Sequence, residues 1–373
     1  MLNFFTRGDT INTITCNRCI LDNTFPDIFF DEEGICSYCR KYESMNLKYS
    51  SNDEKSSILP SLIQKVKNDG RSKEYDSIIG LSGGRDSTYC LYLLKEWGLN
   101  PLAVHFDNNM DSKIAVQNIK NACRKLDVDL HTFVVDWEEY KDLQMAFFKA
   151  SIPAIDAPLD HAIISTLFQY AYDNKISYII SGGYFRGEGP IPREWSCIDA
   201  DFIRDVYKKH GKLSLKKYPI RSFFQQLQYR LNGLTTIHPL NYLNFAYRDA
   251  MQLMERELNW QWYGGHHFES IFTRWAFGYY LPTKFGIDKR GTDFSALIRS
   301  GQMTKDEAMA KMNDVFYSAD QEKDDRRYIM NKLEISDSMM DDILSAPPRK
   351  NSDYAHSSQY IRIIRNLIGP KQI

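Results

Sequence analysis

The string SGGRDS at residues 82–87 constrains this chain more than any other feature of its sequence. It follows a short apolar run, Tyr75–Leu81, and leads into a segment with helical spacing, Asp86–Trp97. Two glycines permit a sharp turn that brings backbone N–H groups close to an anion, and a helix N-terminus adds unpaired N–H groups and partial positive charge. Ser82 and Ser87 can add hydroxyl donors. A strand, a glycine turn and a helix in this order predict a phosphate-binding loop.

Apolar runs and helical segments continue to alternate after this string. The predicted elements are a strand, a helix, a second strand, a further helix and a third strand, at Leu102–Phe106, Ser112–Leu126, Leu130–Val135, about 159–173 and Ile176–Ile180. This order predicts an α/β fold with a doubly wound parallel sheet. Ligands of such sheets bind at the C-terminal ends of the strands. From about residue 290 onward the pattern is helical and poor in strands.

Four of the seven cysteines form two CxxC pairs, Cys16 with Cys19 and Cys36 with Cys39, and 16 residues lie between the pairs. We interpret them as a structural Zn²⁺ site, because four thiolates fill a tetrahedral shell and leave no position open for catalysis. An iron–sulfur cluster is the main alternative. Because so short a segment builds little core, the metal would supply its stability.

Composition limits the location and the partners of the protein. The net charge is -1, which does not indicate a broad basic surface for nucleic acid. The sequence shows no signal-peptide pattern at its start, and no stretch approaches ~18 consecutive apolar residues. We therefore expect a cytoplasmic protein without membrane insertion, in which thiols stay reduced and available to a metal.

The string at 82–87 resembles the PP-loop of the ATP pyrophosphatase superfamily, and it lacks the Gly-Lys-Ser/Thr ending of a Walker A loop. The resemblance implies that this PP-loop (residues 82–87) holds the pyrophosphate of ATP while AMP passes to a substrate oxygen, with Mg²⁺ held by Asp86. The residues expected to bind ATP are Ser82, Gly83, Gly84, Arg85, Asp86, Ser87, His105, Asp107, Gly182 and Gly183. For His105 and Asp107, ordinary polarity at a strand end is the alternative explanation.

Several stretches resemble the N-acetyl sugar amidotransferase family. They are DAPLDH at 156–161, IHPL at 237–240, YGGHHFES at 263–270, residues 279–290 and LIRSGQMTKDEA at 297–308, and the likeness runs over nearly the whole chain. Members of this family act in lipopolysaccharide O-antigen synthesis and in making pseudaminic or legionaminic acid. A charged helix over an aromatic core is the alternative explanation for residues 260–290.

This resemblance implies an ATP-dependent amidotransferase that converts the acetamido group of a nucleotide sugar or nonulosonic acid into an acetamidino group. Adenylation would turn the amide oxygen into part of a good leaving group, and ammonia would then replace it, with release of AMP and pyrophosphate. The residues implied in substrate binding are Asp156, Asp160, His161, His266, His267 and Glu269. Those implied in catalysis are Asp86, Lys284, Lys289 and Arg290.

We expect the ammonia to come from other proteins. Residue 2 is Leu, and no cysteine stands in a glycine-flanked nucleophile elbow, so no glutaminase site is recognisable. The family resemblance implies a separate glutaminase subunit and a cyclase-like subunit that supply ammonia.

These inferences divide the chain into a zinc-binding module at 1–45, a PP-loop ATP pyrophosphatase domain at 46–289 and a helical C-terminal region at 290–373. Two other functions remain open. One is a PP-loop ligase that thiolates or modifies tRNA, against which the near-neutral charge and the scattered spare cysteines argue. The other is a catalytically inactive nucleotide-binding scaffold for glycan synthesis, against which the intact SGGRDS string argues.

Overall fold

The computed structural model describes residues 13–49, 57–192 and 194–357. These residues form two compact units. The larger unit comprises 49, 57–184, 194–289 and 315–357, and the smaller unit comprises 13–48, 185–192 and 290–314. The predicted domain boundaries at 45 and 289 remain a prediction, and residues 1–12 and 358–373 of the predicted domains lie outside the described residues.

The larger unit is built on a five-stranded sheet. Its strands are β1 (Ser77–Gly80), β2 (Pro101–Asp107), β3 (Leu130–Val134), β4 (Tyr178–Ile180) and β5 (Thr235–Ile237). They lie in the order β3-β2-β1-β4-β5, and every neighbouring pair is parallel. The α/β fold with a parallel sheet is therefore confirmed. The sequence prediction missed β5, because a strand of three residues with one buried position gives no periodic signal.

The helices of the described chain include those expected around the sheet. In chain order they are α1 (Ser37–Lys48), α2 (Ile58–Gly70), α3 (Arg85–Glu96), α4 (Lys113–Leu126), α5 (Trp137–Ala150), α6 (Ala157–Asp173), α7 (Phe185–Glu188), α8 (Ala200–His210), α9 (Phe223–Leu231), α10 (Tyr247–Leu258), α11 (Ile271–Trp275), α12 (Leu281–Phe285), α13 (Arg290–Arg299), α14 (Lys305–Met312), α15 (Ala319–Leu333) and α16 (Asp337–Ser345). A π-helical turn, Ala276–Tyr280, joins α11 to α12. The helical C-terminal region is thus as predicted.

The direction in which the chain adds strands reverses at β1. The chain moves from β1 outward through β2 to β3 and then places β4 on the opposite side of β1. In open α/β sheets, ligands bind in the crevice at such a switch point, outside the carboxyl ends of the strands. The residues that follow β1 and β4 therefore frame the candidate site.

A core of large aromatic side chains supports the polypeptide around that site. Phe148 of α5 makes edge contacts with Phe272, Trp275 and Tyr280, at ring-centroid distances of 5.9, 6.1 and 5.5 Å. Phe147 packs in the same way against Phe202 of α8. Such rings bury large apolar areas and hold one another in fixed orientations. This packing fixes the α11–α12 segment in the larger unit.

The smaller unit brings helices from distant parts of the sequence around the cysteine pairs. α1, α7 and α13 pack together there, with α14 against α13. Lys305 of α14 donates a hydrogen bond from Nζ to the backbone oxygen of Cys16 at 2.7 Å. Two isolated β-bridges, Thr15 with Asp22 and Phe30 with Cys36, close the segments that carry the cysteines.

Among the helices described in either unit, none combines the length and the apolar character needed to cross a bilayer.

Candidate active site

The PP-loop makes a tight turn that only glycine permits. Gly83 has φ +74°, and a Cβ atom at this position would lie 2.3 Å from the backbone oxygen of Ala115. The Ser82 hydroxyl accepts from the N–H of Gly84 at 3.2 Å and lies 3.2 Å from the Ser87 hydroxyl. The serines therefore stabilise the turn from within, and they place two hydroxyl groups side by side at its mouth.

Helix α3 begins directly behind this turn without a side-chain cap on Gly84. The neighbouring α4 and α5, by contrast, are capped by the side chains of Ser112 and Asp136. The first N–H groups of any helix lack intrahelical partners and carry partial positive charge. An uncapped helix behind a glycine turn is suited to an anion such as a phosphate.

The second predicted glycine turn, residues 181–183, lies against the first. A Cβ atom on Gly182 would come within 2.9 Å of both N and Cα of Ser87. Glycine is therefore required here by the close approach of two backbones. The structure thus brings together the two loops that the sequence assigned to ATP, at the switch point of the sheet.

Two side chains from distant segments hold the PP-loop in place. Both the indole N–H of Trp260 and the amide of Asn118 donate to the backbone oxygen of Gly83, at 3.0 and 3.1 Å. The backbone N–H of Arg85 donates to the Tyr263 hydroxyl at 3.0 Å. Sequence reasoning did not identify these three residues, because no local pattern links them to a loop many residues away.

Arg85 and Asp86 form an ion pair beside the loop. The guanidinium donates from Nε to Oδ1 at 3.1 Å and from Nη2 to Oδ2 at 3.2 Å, and it stacks 3.2 Å from the ring centroid of Tyr247. Burial opposes the charge of Arg85, yet the Asp86 carboxylate outweighs it and raises the pKa of Arg85. Because both Asp86 oxygens are engaged, Asp86 would have to exchange this partner before it could hold Mg²⁺.

His105 lies at the base of the PP-loop. Its Nδ1 is 3.0 Å from the backbone oxygen of Leu81, and its Nε2 is 3.4 Å from Oδ2 of Asp111. Burial works against protonation, but Asp111 outweighs it and the pKa of His105 is raised. Asp107 accepts from the N–H of Asn109 at 2.7 Å and so shapes the turn after β2. Both residues have protein partners, and their predicted contacts with ATP remain a prediction.

Glu269, assigned to the substrate by sequence, lies against the PP-loop. Its Oε1 is 3.5 Å from the Ser82 hydroxyl and would be 2.9 Å from a Cβ on Gly84. Its backbone oxygen accepts from the N–H of Ser112 at 2.7 Å, which ties this segment to the start of α4. Burial raises the pKa of the Glu269 carboxyl.

The acidic groups near the loop fit a divalent cation. Oε2 of Glu269 is buried and accepts no hydrogen bond from the described residues. The negative charges of Asp86 and Asp111 also act on Glu269 and contribute to its raised pKa. Mg²⁺ prefers carboxylate oxygens, and a cation would relieve the repulsion among these three groups.

Asp156 and Asp160, one turn apart at the start of α6, form a second acidic pair. Asp156 is only 9% exposed, and burial, followed by repulsion from Asp160, raises its pKa to about 7. Asp160 is open to solvent, yet desolvation by the surrounding protein raises its pKa to about 6. Lys289 lowers both pKa values. Asp156, Asp160 and Lys289 therefore form a second cluster of interacting charges in the larger unit.

The two adjacent histidines stand close to these charges. The rings of His266 and His267 are 3.9 Å apart between centroids, and His267 has φ +61°. Burial, followed by electrostatic interactions with His266, Lys289 and Arg85, lowers the pKa of His267 well below its usual value. His267 is therefore a neutral imidazole at neutral pH, able to donate or accept a hydrogen bond.

His161, which was predicted to bind the substrate, forms hydrogen-bond contacts within the protein through both ring nitrogens. His161 lies 2.8 Å from the oxygen of Ile198 through Nδ1 and accepts from the N–H of Arg221 at 3.0 Å through Nε2, so both ring nitrogens are used. Burial lowers its pKa. Both ring nitrogens of His161 thus have protein partners, and its predicted contact with the substrate remains a prediction.

Lys284 and Arg290 bind the carbonyl ends of helices. Lys284 Nζ donates to the oxygens of Ile343 and Ala346, at 2.5 and 2.6 Å. In the smaller unit, Arg290 donates to the oxygens of Lys311, Met312 and Asp314. Cations stabilise helix C-termini, where carbonyl groups lack partners. These contacts support structural roles, and the catalytic roles predicted for both residues find no support in them.

The four cysteines of the smaller unit converge on one point. All four are fully buried, and their Sγ atoms lie within 4.8 Å of one another. Sγ of Cys16 is 3.9 Å from that of Cys39, and Sγ of Cys19 is 3.7 Å from that of Cys36. A tetrahedral ion with bonds of ~2.3 Å to sulfur needs edges of roughly 3.8 Å. The site therefore fits a single metal ion, since four irons of a cluster would hold the sulfurs farther apart.

The parallel sheet and the two glycine turns have the arrangement of a PP-loop site, and one family match falls on this part of the chain. Residues 76–172, which contain the PP-loop, match the family described as queuosine biosynthesis protein QueC.

Residues 269–367 match the family described as LPS biosynthesis protein WbpG-like, C-terminal domain. This match begins at Glu269, the residue that lies against the PP-loop. The family resemblance inferred from the sequence is confirmed in these two segments.

One curated relative is an uncharacterized protein of Methanocaldococcus jannaschii, 30% identical over 173 residues. The match covers 45% of this chain and spans 58% of the relative's length.

Solved structures give distant likenesses. NMN synthetase from Francisella tularensis is 14% identical, with 72% of this chain and 95% of that chain covered and a TM-score of 0.36. NH3-dependent NAD synthetase from Campylobacter jejuni is 16% identical, covering 41% and 72%, with a TM-score of 0.29. The U34-tRNA thiolase NcsA from Methanococcus maripaludis is 14% identical, covering 87% and 90%, with a TM-score of 0.31.

Proposed function

We propose that this chain is an ATP-dependent amidotransferase that converts the acetamido group of an N-acetyl sugar into an acetamidino group during surface-polysaccharide biosynthesis. The observation that carries the proposal is the contact between Glu269 and the PP-loop. It joins the first residue of the WbpG-like segment to the loop in the QueC-like segment. The WbpG-like family is described by LPS biosynthesis, which favours a sugar substrate.

The proposed reaction has two steps. The acetamido oxygen attacks the α-phosphorus of ATP, and pyrophosphate leaves into the PP-loop, where N–H groups and the Ser82 and Ser87 hydroxyls stabilise its growing charge. Ammonia then attacks the imidate carbon, and AMP leaves with the former amide oxygen. Mg²⁺, held by Asp86 and Glu269, would neutralise phosphate charge.

The second polar cluster is assigned to the sugar and to the incoming ammonia. Asp160, with a pKa of about 6, is largely ionised at neutral pH and can hold ammonium or a sugar hydroxyl. Asp156, with a pKa of about 7, can accept a proton as ammonia forms its new bond. Lys289 can bind a sugar carboxylate or a phosphate of the carrier.

The cysteine site is proposed to bind structural Zn²⁺. Four buried thiolates at tetrahedral spacing leave no open coordination position, so the ion would stabilise the smaller unit without taking part in the reaction.

A direct test measures pyrophosphate release by the purified chain with ATP, ammonium chloride and a panel of nucleotide-linked and free N-acetyl sugars. We expect release that depends on one sugar and a product one mass unit lighter, since NH replaces O. Asp86→Asn should lower the rate by about 100-fold or more, because it removes a charge at the phosphates. Asp205→Asn, a change on α8, is the matched control and should leave the rate unchanged. Pyrophosphate release without any acetamido sugar would contradict the proposal.

Separate glutaminase and cyclase-like subunits are proposed as the source of ammonia. We therefore expect ammonium, but not glutamine, to support turnover by this chain alone. Glutamine-dependent turnover without an added protein would overturn this part of the proposal.

The tRNA ligase alternative is tested in the same preparation. The cysteines outside the metal site are poorly suited to sulfur transfer, because burial raises the pKa of Cys123 and of Cys197 to about 11 and also raises that of Cys90. Salt-sensitive binding of tRNA, together with tRNA-dependent pyrophosphate release, would favour the ligase instead.

A further inference from the structure

The smaller unit contains a buried cation, Arg299, two of whose side-chain nitrogen atoms find no hydrogen-bond acceptor among the described residues. Arg299, in the last turn of α13, is 5% exposed. Its Nε and Nη1 atoms are buried, and no described residue accepts a hydrogen bond from them. A buried guanidinium without a partner costs several kcal/mol. Such a group persists only if the finished protein supplies a negative charge nearby.

The residues around Arg299 direct attention to the cysteine site. Gly291, at the other end of α13, lies so close to Phe25 that a Cβ atom would be 2.8 Å from its ring. Lys305, shortly after α13, binds the backbone oxygen of Cys16. Residues before and after Arg299 in the sequence therefore contact the cysteine-bearing segment. The guanidinium itself lies beside the end of α7, where a Cβ atom on Gly189 would be 3.3 Å from its Nη1 atom. Helix α7 also packs against α1, the helix that carries Cys39.

A metal-bound cysteine site would supply the negative charge that Arg299 lacks. Four thiolates and one divalent ion carry a net charge of −2, and this charge would be fully enclosed, since all four cysteines are 0% exposed. Two backbone N–H groups, of Arg18 and Cys36, already donate to Sγ of Cys16. These neutral donors orient the sulfurs, but they do not offset the net charge.

We propose that Arg299 is the counter-charge of the four-cysteine metal centre, and that it increases the affinity of the site for a divalent ion by stabilising the thiolates. The proposal rests on the structural metal site proposed above. It makes Arg299 a positioning and charge-balancing residue, with no part in the reaction at the PP-loop.

The test compares metal affinity in three full-length variants by competition with a chromogenic chelator, using Zn²⁺, and by the thiolate-to-metal absorption of Co²⁺. Arg299→Met keeps the length of the side chain and removes its charge, and we expect it to weaken Zn²⁺ binding by ~10–100-fold. Arg299→Lys keeps the charge and should retain most of the affinity. Arg274→Met, which breaks the buried Arg274–Asp325 ion pair of the larger unit, is the control and should leave affinity unchanged.

Thermal unfolding with and without chelator gives a second readout if Arg299→Met is difficult to prepare in the loaded form. The metal-free protein lacks the net charge of −2 that the loaded site presents to Arg299, so Arg299→Met should narrow the difference in Tm between loaded and metal-free protein. Equal Zn²⁺ affinity in the wild type and Arg299→Met, or equal losses in the Met and Lys variants, would overturn the inference. A wild-type chain that binds no Zn²⁺ or Co²⁺ would instead refute the proposed metal site.

Discussion

Some acidic residues of the candidate site lie where burial and neighbouring charges disfavour the ionised carboxylate. Asp156 is the clearest case, because burial and the neighbouring Asp160 both favour its neutral form. Such groups reduce stability and are retained where a ligand or a reaction needs them. In the proposed reaction, the partly protonated Asp156 lies beside an ionised Asp160 and can act as a proton acceptor.

Asp156→Asn should stabilise the ligand-free protein in a pH-dependent way. The pKa of Asp156 is raised in the folded state, so its contribution is most favourable below the unfolded pKa and is lost as the pH rises through about 7. Removing the carboxyl should therefore raise the free energy of unfolding at pH 8 by on the order of 3 kcal/mol, with a smaller gain at pH 5. Denaturant unfolding at the two pH values measures this.

Asp142→Asn is the control with the opposite sign. Burial disfavours the charge of Asp142, but hydrogen bonds from Tyr207 and from the N–H of Leu213 outweigh it and lower the pKa. Asp142→Asn should therefore lower the free energy of unfolding at pH 8. This loss should become smaller as the pH falls through the lowered pKa of Asp142. If Asp156→Asn, like Asp142→Asn, lowered the free energy of unfolding at pH 8, the Asp156 carboxylate would be stabilised by a partner, and the expected effect of its desolvation would be contradicted.

At the scale of elements, β1, the PP-loop and α3 form a strand–turn–helix motif. Hydrogen bonds from other parts of the chain stabilise the turn of this motif. Its backbone turn at Gly83 has a single carbonyl group that accepts from both Trp260 and Asn118. Neither donor belongs to the strand–turn–helix motif, since Trp260 follows α10 and Asn118 lies in α4. The shape of the proposed anion site therefore depends on these two distant segments. Mutations far from the loop can therefore change nucleotide binding.

Trp260→Phe should weaken binding of a non-hydrolysable ATP analogue by about 5-fold, because it removes one hydrogen bond worth about 1 kcal/mol from the turn. Phe keeps an aromatic ring at this buried position, and an unchanged far-UV circular dichroism spectrum would show that the fold is retained. Trp262→Phe is the matched control, because Trp262 is 38% exposed and touches its neighbours Trp260 and Tyr263 rather than the loop. Isothermal titration calorimetry gives the two affinities. Equal affinities would show that Asn118 alone fixes the turn.

At the scale of the whole molecule, the candidate active site and the cysteine site lie in different compact units. The larger unit holds the sheet, the PP-loop and the acidic groups, while the smaller unit holds the cysteine site. A short segment around four thiols has a small apolar core, of Cys16, Cys19, Leu21, Cys36, Tyr38 and Cys39. Its stability should depend on the metal far more than that of the larger unit does.

Metal removal should therefore affect the two units unequally. All six tryptophans lie in the larger unit, at positions 97, 137, 195, 260, 262 and 275, so tryptophan emission reports on that unit alone. A chelator, or the substitution Cys19→Ser, should reduce helical circular dichroism while the tryptophan emission keeps its folded maximum. Readdition of Zn²⁺ after chelation should restore the helical signal. Loss of the tryptophan signal at the same chelator concentration would contradict this separation.

The sequence alone determined the features that depend on near neighbours in the chain. The alternation of apolar runs and helical segments fixed the parallel sheet, since burial on both faces of a strand and on one face of a helix is written in residues a few positions apart. The SGGRDS string and the two CxxC pairs likewise specify a turn and a metal knuckle through short-range geometry. For this reason α3, α4 and the cysteine site lie where the pattern predicted them.

Only the tertiary structure decided which distant groups meet. It placed Glu269 against the PP-loop and gave Gly83 its donors Trp260 and Asn118. It also paired Lys284 with backbone oxygens at the end of α16. Residues 269 and 82 are adjacent because the whole core packs in one way, and that packing is a sum of many weak contacts with no local signature in the sequence.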